Sequence, residues 1–265
     1  MTEPMTDTVE NIYASRQADL IDRERMLTLR LIAETAPAGS YCPFGEASVA
    51  VVTGAGTATA NGIIWSDLES DPELLVEAIA AFPHIAAPWG VQVRGRVPHD
   101  IRAIAECNGL LGEMVLPTMA LSLTDWTPDD RPGATVDGIH PSQSAALARA
   151  ISAGKGATLA EAQPYATCDL LERPEVSAAG VWTGGGRLAG AGLSITITPS
   201  VVGLYAISTV LPGRRHGLGH SIMQHLLIEA REKGATTAYI QASPMARPLC
   251  ESIGFETVEE VSYLK

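Results

Sequence analysis

The chain has 265 residues, 46% of them hydrophobic, which is enough for two modest hydrophobic cores or one large core. Its formal net charge is −12, and the excess lies in residues 1–130, which carry 7 basic and 19 acidic side chains, against 11 of each in residues 131–265. Nucleic-acid binding needs a basic surface, and a membrane helix needs ~20 consecutive apolar residues. We therefore expect neither nucleic acid nor a membrane as a partner.

The N-terminal half is predicted to alternate helices with short strands. Apolar residues near one face, such as Ile12 and Ile21, predict a first helix over about 9–26. The segment 53–61 is rich in Thr, Gly and Ala and predicts a flexible turn. Further strands are predicted at 47–52, 62–65, 89–94 and 114–123, and further helices at 71–81 and 101–108, the latter ending at Gly109.

A polar segment with two prolines, residues 124–133, predicts a linker. We place the domain boundary there, with an N-terminal domain over 1–128 and a C-terminal domain over 132–265. Beyond it the pattern predicts strands at 134–139, 178–182, 190–198, 203–210, 237–241 and 257–264, and helices at 142–153, 159–171 (broken near Pro164), 218–233 and 245–252. This mixed order predicts an α+β fold with helices on both faces of a sheet.

The segment from Val210 to Ser221, Val-Leu-Pro-Gly-Arg-Arg-His-Gly-Leu-Gly-His-Ser, joins a predicted strand to a predicted helix. The first amides of a helix have no partner within the helix and lie at its positive end, so they bind anions. Gly217 and Gly219 would let a phosphate approach the backbone, and Arg214 and Arg215 add positive charge. The spacing differs from both Gly-x-x-x-x-Gly-Lys-Ser/Thr and Gly-x-Gly-x-x-Gly.

Two motifs follow each other in this half. Arg214, Gly217 and Gly219 form Arg-x-x-Gly-x-Gly, and a strand, a short helix and a last strand then carry Leu-Cys-Glu-Ser-Ile-Gly-Phe at residues 249–255. With Val-x-Pro just upstream of the first motif, residues 134–265 resemble the GNAT superfamily of N-acetyltransferases. That resemblance implies the GNAT fold, a mixed and mostly antiparallel sheet flanked by helices, and acetyl-CoA as the acyl donor.

The resemblance also implies where coenzyme A would bind. The family holds the diphosphate on the loop amides, and the pantetheine lies in a cleft beside the preceding strand, where one strand amide faces the thioester oxygen. The residues that correspond here are Ser208, Thr209, Val210, Arg214, Arg215, His216, Gly217, Leu218, Gly219, His220 and Ser221.

The chain departs from the family at both proton-transfer positions. Cys250 replaces the usual tyrosine acid, so the thiol is one candidate proton donor, although a buried cysteine is more often a core residue. The strand before the loop has no glutamate to act as base, which makes Tyr205 the best polar candidate to face the acceptor. Tyr165, Glu172 and Glu175 are further candidates for the acceptor pocket.

The N-terminal half is interpreted as a degenerate copy of the C-terminal half. The spacing from Arg102 to Gly109 and Leu110 repeats that from Arg247 to Gly254 and Phe255. The acidic and hydroxyl residues at 66–71 replace the glycine loop and would repel a diphosphate, so no coenzyme A is expected there. The two halves of one chain, or two chains in a homodimer, could pair their sheets.

The sequence therefore predicts an enzyme that transfers an acyl group from acetyl-CoA directly to an amine. The acidity of the chain favours a small cationic amine as the acceptor. The missing tyrosine and glutamate leave an alternative open, a catalytically weak acetyl-CoA-binding sensor or assembly module.

The acidic N-terminus lacks a secretion signal, so we expect a cytoplasmic protein. The four widely spaced cysteines indicate neither a metal site nor a disulfide framework.

Overall fold

The computed structural model describes residues 6–44, 48–66, 71–130 and 133–265, with side chains from residue 16 onward. The strands are β1 (Ser40–Phe44), β2 (Ser48–Val52), β3 (Asn61–Trp65), β4 (Gly90–Arg94), β5 (Glu113–Ser122), β6 (Asp137–Gly138), β7 (Val176–Trp182), β8 (Leu188–Ile195), β9 (Val201–Thr209), β10 (Thr237–Gln241) and β11 (Glu256–Leu264). The α-helices are α1 (Thr6–Thr35), α2 (Glu73–Ala81), α3 (His99–Cys107), α4 (Ser144–Lys155), α5 (Leu159–Ala162), α6 (Cys168–Leu171), α7 (Leu218–Glu232) and α8 (Arg247–Ile253).

All strands of the described residues join one sheet, in the order β1-β2-β3-β4-β11-β5-β10-β9-β8-β7-β6. Neighbouring strands are antiparallel except for two parallel pairs, β3 with β4 and β9 with β10. The fold is therefore α+β with a mostly antiparallel sheet, as the sequence predicted. No helix in the described residues is long and apolar enough to cross a membrane.

The two halves exchange their last strands at the centre of the sheet. β5 closes the N-terminal half along the chain, yet it pairs with β10 of the C-terminal half. β11 closes the C-terminal half and pairs with β4 of the N-terminal half. β5 and β11 also pair with each other along most of their length. The sheets of the two halves are thus joined within one chain, whereas the predicted boundary at the linker remains a prediction.

Helices cover both faces of the C-terminal sheet because successive residues of a strand point to opposite sides. Leu193 and Ile195 of β8 belong to the apolar cluster that includes α4. A side chain at Gly190 or Gly192, which alternate with Ala191 and Leu193 along β8, would instead meet Ile222 of α7. The glycines on that face let α7 pack closely on the sheet.

Helix α1 runs longer than predicted and connects the halves through buried polar side chains. Glu24 accepts hydrogen bonds from the backbone of the β8–β9 turn, and the Thr198 Oγ1 donor lies 2.7 Å from its Oε2. Arg25, also buried, donates to Gln92 Oε1 of β4 at 2.7 Å, and at the surface Asp19 forms an ion pair of 2.8 Å with Arg94 of β4. Because buried polar groups without partners are costly, the contacts of Glu24 and Arg25 fix where α1 crosses the sheet.

Most predicted elements lie within a few residues of the observed ones, and three differ besides α1. β1 has no predicted counterpart, because its residues, Ser-Tyr-Cys-Pro-Phe, are largely exposed and lack an alternating pattern. The strand predicted at 134–139 shrinks to Asp137–Gly138. A 3-10 turn over Pro141–Gln143 precedes α4. Ala47 and most of the acidic segment at 66–71 fall outside the described residues.

The strand exchange predicts that the two halves unfold together. Met119 of β5 is buried and lies between β10 and β11. We expect Met119→Ala to lower the free energy of unfolding by about 2–5 kcal/mol. Urea unfolding followed by circular dichroism and tryptophan fluorescence should give one coincident transition, shifted as a whole. Leu111→Ala, at a side chain that is 79% exposed, is the control and should leave the midpoint in place. Two separate transitions would contradict this prediction.

Candidate active site

A cleft opens where the parallel strands β9 and β10 separate. The strands pair only from Val201 opposite Thr237 to Gly203 opposite Tyr239. Beyond that point a cleft of about 1050 Å³ lies between them. Its walls are the second half of β9, the start of α7, the end of β10 with the following turn, the C-terminal part of α4, and parts of the N-terminal half.

A β-bulge in β9 shapes the wall of this cleft. The register shifts so that Ala191 faces Ser208 while Leu193 faces Tyr205, which leaves Ala206 and Ile207 opposite the single Gly192. Ala206 has a φ of +52°, a left-handed conformation that non-glycine residues rarely adopt. Bulges of this kind redirect a strand and its amides. The bulge therefore turns the backbone of β9 where the strands part.

The predicted anion loop leads from β9 into α7 at the mouth of the cleft. A 3-10 turn over Leu211–Gly213 follows the strand, and Gly217 precedes α7 with a φ of +76°. Glycine adopts this left-handed conformation at little cost. A side chain at Gly219 would contact the Leu249 side chain at 3.1 Å. The first turn of α7 thus presents a bare, positively polarised backbone to the cleft.

Most of the predicted cofactor residues line this cleft. They are Ser208, Thr209, Arg214, Arg215, Gly217, Leu218, Gly219 and His220. Val210, His216 and Ser221 are not among the lining residues. Ser221 instead accepts a hydrogen bond from the amide of Ala134 and donates one to the carbonyl of Gly217, so it ties the linker end to the loop.

Arg214 spans the cleft mouth through contacts with the protein itself. Its Nη2 donates to the carbonyl of Gly154 in α4 at 2.8 Å, and its Nε donates to the carbonyl of Thr209 at 3.3 Å. The side chain therefore holds the last turn of α4 against the end of β9. Arg215, with a φ of +61°, is the neighbouring cation in the loop and also lines the cleft.

Two tyrosines lie where the strands separate. The hydroxyls of Tyr205 in β9 and Tyr239 in β10 are hydrogen-bonded, and their rings meet edge to face at 6.2 Å. Both residues line the cleft. Burial raises the pKa of Tyr205 to about 12 and that of Tyr239 well above its usual value. The pair is therefore protonated at neutral pH and can donate hydrogen bonds, whereas it is a poor base.

Cys250, the other predicted catalytic residue, lies away from the cleft. The residue is fully buried and packs in the cluster of α7, α8 and β10. Burial raises the pKa of its thiol to about 11. Its neighbour Leu249 lines the cleft instead. The side of α8 that carries Cys250 faces the core, which favours a packing role for this thiol.

The N-terminal half closes the inner end of the cleft. Its contributions are Arg25 and Leu29 of α1, Gly56, Thr57 and Thr59 of the segment after β2, and Met114 and Leu116 of β5. Of the three acceptor-pocket candidates, Tyr165 lines the cleft, whereas Glu172 and Glu175 are not among its lining residues. The sequence alone did not indicate these N-terminal contributions.

Buried Asn61 gives the segment 53–60 a defined conformation. Its Oδ1 accepts from the amides of Thr53 and Gly54, both at 2.9 Å, and its Nδ2 donates to the carbonyls of Ala55, Thr57 and Pro88. The amide of Gly56 in turn donates to the carbonyl of Glu161 beside α5. The segment predicted as a flexible turn is therefore held in one conformation and forms part of the cleft wall. In the sequence, only the Asn that directly follows the run of small residues indicated this.

Arg25 is a buried cation at this inner end. Its guanidinium donates to Asp22 Oδ1 at 2.8 Å and to Gln92 Oε1 at 2.7 Å. Burial acts to lower the pKa of Arg25, but the charge of Asp22 and the hydrogen bond to it raise the pKa overall. Arg25 is therefore held as a cation in the wall of the cleft.

The chain is similar to known acetyltransferases, in sequence over part of its length and in fold over most of it. The family model described as an acetyltransferase (GNAT) domain matches residues 177–264. No curated protein matches the chain. Among solved structures, a GCN5-related N-acetyltransferase from Kribbella flavida is similar over 96% of this chain and 93% of its own, at 15% identity and a TM-score of 0.60.

A putative GNAT-family acetyltransferase from Novosphingobium aromaticivorans is similar over 83% of this chain and 88% of its own, at 13% identity and a TM-score of 0.55. At such identities, these likenesses show the fold. The family match identifies residues 177–264 as an acetyltransferase (GNAT) domain, and the structural likenesses show that the GNAT fold accounts for most of the chain.

The buried tyrosines predict a loss of stability at high pH. An unfolded tyrosine titrates near pH ~10, whereas burial raises the pKa of Tyr205 and Tyr263 to about 12 and that of Tyr165 higher still. Above pH ~10 the unfolded chain binds fewer protons than the folded chain, so stability falls as pH rises. Below that pH these groups contribute no pH dependence.

Urea unfolding at intervals between pH 8 and 11.5 should show a free energy of unfolding that begins to fall above pH ~8.5, where Cys250 titrates in the unfolded chain, and that falls more steeply above pH ~10, where the tyrosines add to the decline. The variant Tyr263→Phe removes one titrating group and should decline less steeply. An equal slope in the variant and the wild type would contradict the assignment.

Proposed function

We propose that this protein is an N-acyltransferase that uses acetyl-CoA and acts on a small-molecule amine. One observation carries the proposal: a single cleft runs from the start of α7, along the bulged half of β9, to an inner end built by the N-terminal half. An anion-binding helix start, a free strand edge and an enclosed end are the three parts that a coenzyme A donor and an acceptor require.

The residues present fit coenzyme A. The diphosphate would bind the amides of Leu218, Gly219 and His220 beside the cation of Arg215. The pantetheine would pair with the backbone of β9 from Thr209 back to the bulge at Ala206. The Ser208 hydroxyl is buried and lacks a hydrogen-bond partner within the described residues, so it is free for a pantetheine amide. Arg214, which holds the cleft mouth through its protein contacts, is assigned a positioning role.

The bound donor supplies a thioester. The acceptor nitrogen forms a bond to the thioester carbon as the carbon–sulfur bond breaks, one proton of the ammonium goes to the sulfur and another goes to solvent. An amide of the β9 bulge would stabilise the negative charge that develops on the thioester oxygen. Because Tyr205 is protonated and lies at the bulge, it is proposed as a hydrogen-bond donor to the reacting groups instead of as the base.

Solvent is the proposed final acceptor of the ammonium proton. Among the lining residues that the structure describes, Glu161 is the only carboxylate. Its Oε2 accepts a hydrogen bond from the Thr158 amide at 2.6 Å, which lowers its pKa and makes it a weak base. The enclosed inner end supports transfer to an acceptor over the alternative of an acetyl-CoA sensor, since a sensor would need no second pocket.

We further propose that the N-terminal half is a degenerate GNAT-like domain. The run β3, α2, β4, α3, β5 repeats the order of β9, α7, β10, α8, β11, and in both runs the first two strands are parallel. We propose that this half binds no coenzyme A and instead forms part of the acceptor pocket.

Binding of acetyl-CoA tests the first part of the proposal. Calorimetric titration should show micromolar binding of acetyl-CoA and of desulfo-coenzyme A, and much weaker binding of ATP. In Gly219→Leu, the new side chain would meet Leu249 and cover the first amides of α7. We expect this variant to bind at least ~10-fold more weakly, since hydrogen bonds to charged groups contribute about 1.5–3 kcal/mol each.

The matched control is Gly184→Leu in the exposed β7–β8 turn, where a side chain would meet nothing within 4 Å. It should bind like the wild type. Absence of acetyl-CoA binding by the folded wild-type protein would overturn the proposal.

Substitution of Tyr205 tests its role as a donor. Tyr205→Phe keeps the ring but removes the hydroxyl, so acyl transfer should slow by about 100-fold, within the range of a lost proton donor. The Kd of acetyl-CoA should change little. Tyr41→Phe, in β1 and outside the lining set, is the control. Thiol release measured with a chromogenic reagent would contradict this role if Tyr205→Phe kept the wild-type kcat.

A further inference from the structure

The inner end of the cleft is lined by hydrogen-bond donors. Arg25 of α1 is buried there, and Asp22 and Gln92 together engage three of its five N–H groups. Two further N–H groups of the guanidinium remain for another acceptor, and Arg25 is among the residues that line the cleft. A buried guanidinium suits a ligand with two acceptor oxygens because its N–H groups form a planar fork.

Gln241 adds a second donor at this end. The residue closes β10, just after the tyrosine at the point of strand separation, and it lines the cleft. Its Oε1 accepts a hydrogen bond from the hydroxyl of Tyr263 at 2.7 Å. Its Nε2 is buried and has no hydrogen-bond partner within the described residues. A buried donor without a partner is unfavourable, so this amide is suited to a ligand oxygen.

Arg25 and Gln241 both lie close to Tyr263. Tyr263 connects them, since its hydroxyl binds Gln241 and feels the charge of Arg25. Burial raises the pKa of Tyr263, and the charge of Arg25 acts in the opposite direction, as expected for a nearby cation. Tyr205 is likewise within the field of Arg25. Arg25, Gln241 and Tyr205 thus line the cleft near one another, and Tyr263, which is not among the lining residues, contacts Gln241 from behind the wall.

The carboxylates close to this end are engaged elsewhere. Asp22 lies behind Arg25, where it binds the guanidinium and the Ser66 hydroxyl. Glu24 is bonded to the backbone of Ile197 and Thr198. Glu161 is on the wall formed by α5 and caps that helix. A polyamine would therefore find donors where it needs acceptors, despite the net charge of −12.

We propose that the acceptor is an amino carboxylate, such as a free amino acid, whose carboxylate binds Arg25 and the Gln241 amide while its amine faces the thioester. This inference rests on the proposed function and names its substrate class. It replaces the cationic amine that overall acidity favoured, because the groups at the site decide recognition and the distant surface charge does not.

Matched pairs of acceptors test the inference. Each amino acid is assayed against the amine that lacks only its carboxylate, for example leucine against 3-methylbutylamine and ornithine against putrescine, with acetyl-CoA saturating and thiol release as the readout. We expect at least one amino acid to exceed its decarboxylated partner by at least ~100-fold in kcat/KM, because the donors are left unpaired in the latter.

Two variants test whether Gln241 and Arg25 are the residues that recognise the carboxylate of the acceptor. Gln241→Glu replaces the donor with a carboxylate and should raise KM for the amino acid at least ~10-fold, with the Kd of acetyl-CoA unchanged. Arg25→Lys keeps the charge but loses the fork and should also raise that KM. Gln163→Glu makes the same change of charge at an exposed position outside the lining set and should leave KM unchanged.

The outcomes separate this inference from the proposed function. If acetyl-CoA binds and the decarboxylated amines are acylated as well as the amino acids, or if no amino acid is a substrate, the inference is wrong and the proposed function stands. An unchanged KM in both Gln241→Glu and Arg25→Lys also overturns it. If acetyl-CoA does not bind at all, the proposed function fails as well.

Discussion

The structure depends on two parallel strands that separate part of the way along their length. β9 and β10 share hydrogen bonds over three residues and then diverge. Backbone groups inside a protein need partners, so a strand edge that opens into the interior has to meet a ligand, water or another segment. The bulge at Ala206 redirects β9 where the two strands separate, and Arg214 fixes the end of β9 against α4. An edge of this kind accounts for the cleft and for its capacity to bind an extended ligand.

The exchange of last strands gives the N-terminal half its place at the site. Since β5 lies between β10 and β11, Met114 and Leu116 reach the cleft beside residues of the C-terminal half. Helix α1 reaches it from the other side because Asp19 and Glu24 anchor the helix to both halves. The N-terminal half therefore contributes to the proposed chemistry through walls and buried donors.

The parts that the sequence predicted well are those encoded locally. The anion loop and the helix after it follow from glycines and an amphipathic run within about twenty residues, and eight of the eleven proposed cofactor residues line the cleft. Cys250 shows the limit of prediction from local patterns. The motif identified its position in the sequence, but which face of α8 carries it depends on how the helix packs against α7. Arg25 carries no local signal of a place in the cleft, since Gln92, which helps to hold it there, lies 67 residues further along the chain. The strand exchange was likewise beyond local patterns, because two strands of similar composition can pair with either half.

The crossed last strands also set an order for assembly on the ribosome. β4 is made early, but its neighbour β11 emerges only after the whole acetyltransferase part has been synthesised. Until then the nascent N-terminal half exposes an unpaired strand edge, which invites pairing with other chains. Gly90 of β4, whose position is crowded by the backbone of Leu264, would be among the last residues to reach its final neighbours. The polypeptide thus completes the centre of its sheet last, when β11 enters between β4 and β5.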